Sequence, residues 1–201
     1  MALYTLYPDL DNFAFIGFDE KQMKDLCGDD PRDRFDFHNI PKSFEGIISK
    51  ILNIDFSDDC NGLTGTDAPD LQVFHGKLFL SEKAYKAIGK IIAKDGEFFP
   101  VTYENGKGYI FNPMSIAEDV DGLDEALSIK NEWDDVENIA FHEDKVKQFA
   151  MFRTAFDTYI SLFCNEAVKN AIEKNDLIGL NITPELGAEF GMAQNQKASP
   201  H

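Results

Sequence analysis

An apolar run that halts at a polar residue and gives way to helical spacing occurs twice in this chain. The first is Leu78-Phe79-Leu80-Ser81-Glu82-Lys83-Ala84-Tyr85-Lys86-Ala87-Ile88, the second Leu162-Phe163-Cys164-Asn165-Glu166-Ala167-Val168-Lys169-Asn170-Ala171-Ile172. At an offset of 84 residues, five of the eleven positions are identical. Ser81 and Asn165 suit an N-cap, because their short side chains accept from amides that the first helical turn leaves unpaired. Glu82 and Glu166 then put an anion in the first turn, where the helix dipole favours it. Each helix leads to another apolar run, Phe98-Phe99-Pro100-Val101 or Leu177-Ile178-Gly179-Leu180-Asn181-Ile182. The pattern predicts two similar strand-helix-strand units. Neither has the makings of a catalytic site, so the repetition argues for a scaffold and for a protein that works by binding.

The remaining pattern is read in the same terms. Leu3 to Tyr7 and Phe13 to Phe18 predict short strands around Pro8-Asp9 and Asp11-Asn12. Residues 19 to 41 are polar and turn-rich and read mostly as loop. Ile47, Ile48, Ile51 and Leu52 show helical spacing and predict a helix over 44–52, although so short an isoleucine-rich run also suits a strand. A second loop runs from Asp58 to Asp70. Leu71 to Phe74 and Leu78 to Leu80 predict paired strands, and Ser81 to Ala93 a helix with Ala84, Ala87, Ile88, Ile91 and Ile92 on one face. Phe98 to Tyr103 and Tyr109 to Asn112 predict a hairpin across Glu104 to Gly108, where Asn105-Gly106 supplies the positive φ of a tight turn. Short strands are expected near Leu123 to Ile129, Val136 to Phe141 and Phe149 to Arg153, with the charged stretch between the last two helical or extended. Thr158 to Phe163, Asn165 to Lys174 and Leu177 to Thr183 form the second unit. The class is α+β: a mixed or antiparallel sheet with a few helices, containing the two similar units. Three segments are expected: 1–67, with strands and an acidic loop; 68–185, an α+β domain; and 186–201, a flexible tail.

Charge changes this picture most. Lys and Arg total 19 against 36 Asp and Glu, a net charge of −17. A field of that sign repels nucleic acid and anionic membranes and attracts basic partners. From Ala117 to Asp144, eleven acidic residues face a single lysine, Lys130, so this window carries −10 of the total. A second acidic group, Asp19 to Asp36, is largely offset by Lys21, Lys24, Arg32 and Arg34. No run approaches the roughly eighteen apolar residues of a membrane helix. The N-terminus lacks the basic region and apolar core of a signal peptide. Three widely spaced cysteines, Cys27, Cys60 and Cys164, read as reduced thiols in a cytoplasmic protein.

Candidate chemistry is sparse. His38, His75, His142 and His201 are isolated, and none falls in an H-x-x-x-H spacing. His142-Glu143-Asp144 could hold a metal, though adjacent acidic residues more often form a solvated surface. Cys164 corresponds to Leu80 in the first unit, which points to packing rather than reactivity. There is no G-x-S-x-G, and Gly62 to Thr66 lacks the G-K-[ST] ending of a phosphate loop. No cofactor and no enzyme signature are expected.

From Pro69 onward the order of motifs resembles the Imm11 family of bacterial immunity proteins, also described as a domain of unknown function. The likeness is carried by Ala68-Pro69-Asp70, Leu78 to Ala84, Glu97-Phe98-Phe99-Pro100-Val101, and Gly108-Tyr109-Ile110-Phe111-Asn112. It continues through Gly122-Leu123-Asp124 with Ser128, Met151-Phe152-Arg153, Leu162 to Glu166, and Gly179-Leu180-Asn181-Ile182. It spans roughly residues 68–185, with the N-terminal third matching only loosely. The resemblance implies a protein that binds a toxin domain and blocks its active site or substrate groove, with no cofactor and no catalytic residues.

Together these readings point to a cytoplasmic immunity protein whose acidic face meets a basic toxin groove. The expected partner-binding residues are Glu118, Asp119, Asp121, Asp124, Glu132, Trp133, Asp134, Asp135 and Glu137. Trp133, the only tryptophan, is either a binding anchor or a core residue closing over the loop. The alternatives are a metal-assisted hydrolase using His142 and Glu143, and a non-enzymatic structural or adaptor protein.

Overall fold

Two sheets and a small hairpin organise the chain. The computed structural model describes residues 2–30, 32–57, 67–104 and 106–187. In chain order the strands are β1 Leu3–Pro8, β2 Phe15–Phe18, β3 Leu52–Ser57, β4 Leu71–Phe74, β5 Lys77–Ser81, β6 Gly96–Tyr103, β7 Gly106–Pro113, β8 Ile129–Lys130, β9 Val136–Asn138, β10 Met151–Phe152, β11 Leu162–Asn165 and β12 Leu180–Thr183. The helices are α1 Glu20–Cys27, α2 Glu82–Ile92, α3 Glu143–Val146 and α4 Glu166–Lys174. One sheet has the order β2-β3-β6-β7-β5-β4, the other β10-β11-β1-β12, and β8 pairs with β9 alone. The fold is α+β, with one parallel pairing, β3 on β6, in otherwise antiparallel sheets.

The twin units are alike beyond their shared motif. In the first, α2 carries the chain from β5 to β6, and β7 lies between those strands, antiparallel to both. In the second, α4 connects β11 to β12, and β1 lies between them, again antiparallel to both. Outside, β4 pairs with β5 as β10 pairs with β11. The orders β6-β7-β5-β4 and β12-β1-β11-β10 therefore correspond strand for strand. In the first unit the middle strand follows by a hairpin. In the second it is the first strand of the chain, with Leu6 opposite both Leu162 and Ile182.

Both caps form as the residue types require. Ser81 accepts from the Ala84 amide at 3.2 Å, and Asn165 Oδ1 accepts from the Ala167 and Val168 amides at 3.0 and 3.2 Å. Ala84, Ile88, Ile92, Val168 and Ile172 are all buried in one core cluster with Leu78, Leu80 and Leu162. Cys164 is buried there too, and burial pushes its thiol up to about 12, which suits packing and not nucleophilic work.

Several local expectations are corrected. Residues 20–27 form a helix, capped by Asp19 accepting from Gln22 N at 2.7 Å and closed by Gly28 at φ 84°. Only Met23 is buried on it, so no apolar stripe marked it in the sequence. The helix expected over 44–52 is absent. Phe44 and Ile48 are buried in a turn that passes through Gly46 at φ 84°, a conformation no α-helix contains, and Leu52 opens β3. Of this stretch only Leu52 is strand-paired, to Val101 of β6, while Phe44 and Ile48 are buried with Phe35 and Phe99. The strand expected over 123–129 shrinks to Ile129–Lys130, with Leu123 bridging Phe141 alone, and 136–141 shrinks to Val136–Asn138. The charged stretch after Phe141 is helical over Glu143–Val146. The β6–β7 pairing runs out to Tyr103 opposite Gly106, so the connection is shorter than expected, and its Asn105 lies outside the described residues. Most of the 58–70 loop, the 67/68 boundary region as far as residue 66, and nearly all of the tail also lie outside them.

Buried cations tie the N-terminal segment to the sheets. Arg153 Nη1 donates to Asn39 O at 2.8 Å, while Nη2 donates to Asn112 Oδ1 at 3.2 Å and to Pro113 O. Arg34 and Asp36 form a buried ion pair, Nε to Oδ1 at 2.9 Å. Lys77 donates from a buried ammonium to the carbonyls of His38 and His75, with the Phe35 ring 5.0 Å away. Loss of hydration, reinforced by Arg153, lowers the Lys77 pKa to about 7. The unfolded chain holds that proton up to about pH 10.4, so between pH 7 and 10 it binds one proton more than the folded chain and stability rises with pH. Raising the pH from 7 to 9.5 should therefore stabilise the wild type by on the order of 1–3 kcal/mol more than it stabilises Lys77→Met. Urea denaturation of both proteins at the two pH values measures this, and parallel slopes would show that Lys77 keeps its charge when folded.

Candidate functional site

The acidic window lies over a small aromatic core. Phe141, Phe152 and Phe163 pack with ring centroids 4.9 to 5.6 Å apart, joined by Leu3, Ala117, Ile139 and Val146. Of the window's apolar residues, Ala117, Val120, Leu123, Val136, Ile139 and Phe141 pack in or against this cluster.

The window's carboxylates divide into two groups. Glu118 turns inward: Oε1 accepts from Thr154 Oγ1 at 2.5 Å and from the Ala155 and Phe156 amides at 3.0 and 3.3 Å. Asp124 shapes a turn, with Oδ1 accepting from the Ala126 and Leu127 amides at 3.1 and 3.2 Å, and Oδ2 3.7 Å from His142 Nδ1. Asp124 thus holds the window's own backbone, and Glu118 ties the window to the segment after β10. Asp119 and Asp121 are exposed beside them, Asp121 in the left-handed region at φ 53°.

The other five expected residues, Glu132, Trp133, Asp134, Asp135 and Glu137, share the exposed β8–β9 hairpin. Asn131 orders its tip, since Oδ1 accepts from both the Trp133 and Asp135 amides at 2.9 Å. Lys130 pairs with Asp134 at 3.1 Å and lies over the Phe156 ring at 5.2 Å, which ties the hairpin to the body. Trp133 is 74% exposed, so its reading as a core residue is withdrawn. Leu127 and Ile129, 58% and 50% exposed, extend the apolar surface along the hairpin. Their exposure escaped sequence reasoning because the run Leu123 to Ile129 reads equally as a buried strand.

The geometry of the hydrolase alternative is thin. His142 meets Asp124, but among the described residues no three His, Cys, Asp or Glu side chains converge as metal ligands would. No helix among them is long and apolar enough to cross a membrane.

The hairpin is thus ordered, acidic and tipped by an exposed tryptophan, and in a comparison with protein families residues 42–184 match a family of immunity proteins. The match covers more than two thirds of the chain, and the chain belongs to that family, Imm11. It reaches further toward the N-terminus than the motifs legible in the sequence and takes in β3. Comparison with curated proteins found no match.

Proposed function

We propose that this protein acts in the cytoplasm of a bacterium as the immunity partner of a polymorphic toxin, binding the toxin domain directly and occluding its active site or substrate groove. The observation that carries the reading is Trp133, held bare at the tip of a hairpin rich in carboxylates in a chain of an immunity family. Exposing a tryptophan to water forfeits the burial its large apolar surface favours, and tryptophan is the residue most enriched at binding hot spots. The surrounding charge suits a basic groove, such as a nucleic-acid-processing toxin needs, and charge of that kind speeds encounter more than it adds affinity.

The test is co-expression with the product of the adjacent open reading frame. The reading expects a stable complex of the two purified proteins and survival of cells that express both. A toxin that kills cells equally with and without this protein, and fails to co-purify with it, would refute it.

A further inference from the structure

Beside the hairpin, four parts of the chain, the last of them at Gly187, line a groove of about 460 Å³. Tyr7 and Pro8 come from the end of β1 and Leu10 from the turn after it, Val136 and Ile139 from β9 and the residue after it, and Ile160 from the loop before β11. The lining is mostly apolar, and Ile160 is 55% exposed within it. Two carboxylates interrupt it, Asp135 on the hairpin side and Asp157 on the loop side.

Asp157 and its loop are held in a costly arrangement. Asp157 Oδ2 accepts from Ser161 N at 2.9 Å, whereas Oδ1 is buried with no hydrogen-bond partner among the described residues. Loss of hydration raises its pKa. Arg153 feels this charge, but its guanidinium donates to Asn39, Asn112 and Pro113. The next two residues, Thr158 and Tyr159, both lie in the left-handed region at φ 59° and 65°. Such a conformation is strained for a β-branched residue like Thr158, and backbone strain of this kind concentrates at ligand clamps. Surroundings impose it here: Asn39 Nδ2 donates to Thr158 O at 2.7 Å, and Tyr159 N donates to Thr154 O at 3.0 Å. The strained turn carries the chain directly from the half-satisfied carboxylate to the exposed Ile160.

We propose that this groove seats a basic-aliphatic segment of the toxin, with a lysine or arginine between Asp135 and Asp157 and an apolar side chain against Ile160. The inference rests on the toxin-binding reading above and adds where the toxin is held and by what chemistry. A purely apolar occupant would deepen the burial of Asp157 without adding any opposite charge, which is unfavourable for a carboxylate. An anionic occupant is repelled by both walls. A cation flanked by apolar groups offsets the negative charge of the two walls and covers the isoleucine together.

The probe is the purified toxin domain encoded by the adjacent reading frame, titrated against the full chain. Ile160→Glu should weaken binding by at least about 30-fold, as loss of a hot spot does. Asp157→Asn should weaken it about tenfold or more, as truncating a buried hydrogen-bonded charge pair does, with a melting temperature that holds or rises. Ile51→Glu makes the same change at an exposed isoleucine beside β3 and should bind as the wild type does. Wild-type affinity in folded Ile160→Glu and Asp157→Asn would overturn the groove and leave toxin binding standing. Failure of the wild type itself to bind would remove both. If Ile160→Glu instead splits a wild-type dimer without changing toxin affinity, the occupant is a second copy of this chain and the proposal is wrong.

Discussion

Ile88→Ala and Ile172→Ala should each destabilise the protein by about 2–5 kcal/mol, the cost of emptying a large aliphatic site in a packed core. The two isoleucines hold equivalent positions on α2 and α4, are 0% and 4% exposed, and lie in one core cluster. Because the helices pack against each other, the double variant should depart from additivity by about 0.5–3 kcal/mol, which a cycle of denaturant titrations resolves. Ile47→Ala provides the contrast: it lies in the turn beside Gly46, 42% exposed, and should change stability by no more than about 0.5 kcal/mol. An effect at Ile47 matching that at Ile88 would mean that the core is not where these helices place it.

Trp133→Ala should leave folding stability within about ±0.5 kcal/mol of wild type and raise the dissociation rate of the toxin complex by about 30-fold. The hairpin charges should act on the other rate. Glu132→Lys with Glu137→Lys should slow association while leaving dissociation nearly unchanged, and wild-type association should slow as salt shortens the screening length toward about 8 Å. Asp134 is a poorer site for the reversal. It sits at φ 69°, where a lysine is strained by roughly 1–2 kcal/mol, and it pairs with Lys130. Stopped-flow mixing across a salt series separates the two rates. A dissociation rate unmoved by the loss of Trp133 would take the hairpin out of the interface, and salt-independent association would reduce the acidity to a solubility device.

Much of the candidate site was legible before any coordinates. The excess of carboxylates over Lys130 is a matter of counting, and four of the eight carboxylates chosen on that basis share one exposed hairpin with Trp133. Glu118 and Asp124 could not be sorted from them. A carboxylate that caps a backbone turn and one that faces solvent differ only in which amides lie within hydrogen-bond reach, and the amides Glu118 accepts from are 37 and 38 residues away. The groove was beyond reach for the same reason. Its walls come from the β1 region, the β9 region, the loop before β11 and Gly187, and its exposed isoleucine, Ile160, resembles any other strand isoleucine.

What the residues determine by themselves is local. An N-cap followed by a glutamate and an apolar stripe makes a helix wherever it occurs, and an apolar run bounded by turns makes a strand, so both copies of the unit could be read from interactions within a dozen residues. What fills each unit is another matter. Between β5 and β6 the middle strand arrives by a hairpin, a short-range event that the pattern announces. Between β11 and β12 it is β1, more than 150 residues away, and hydrophobic alternation does not say which strand a partner will be. Tertiary structure decided that pairing, because an unpaired strand leaves its backbone donors and acceptors unsatisfied and its apolar face wet, and β1 meets both needs of the second unit. The same closure brings Tyr7, Pro8 and Leu10 beside Ile160, so the groove exists only once the two ends of the chain have met.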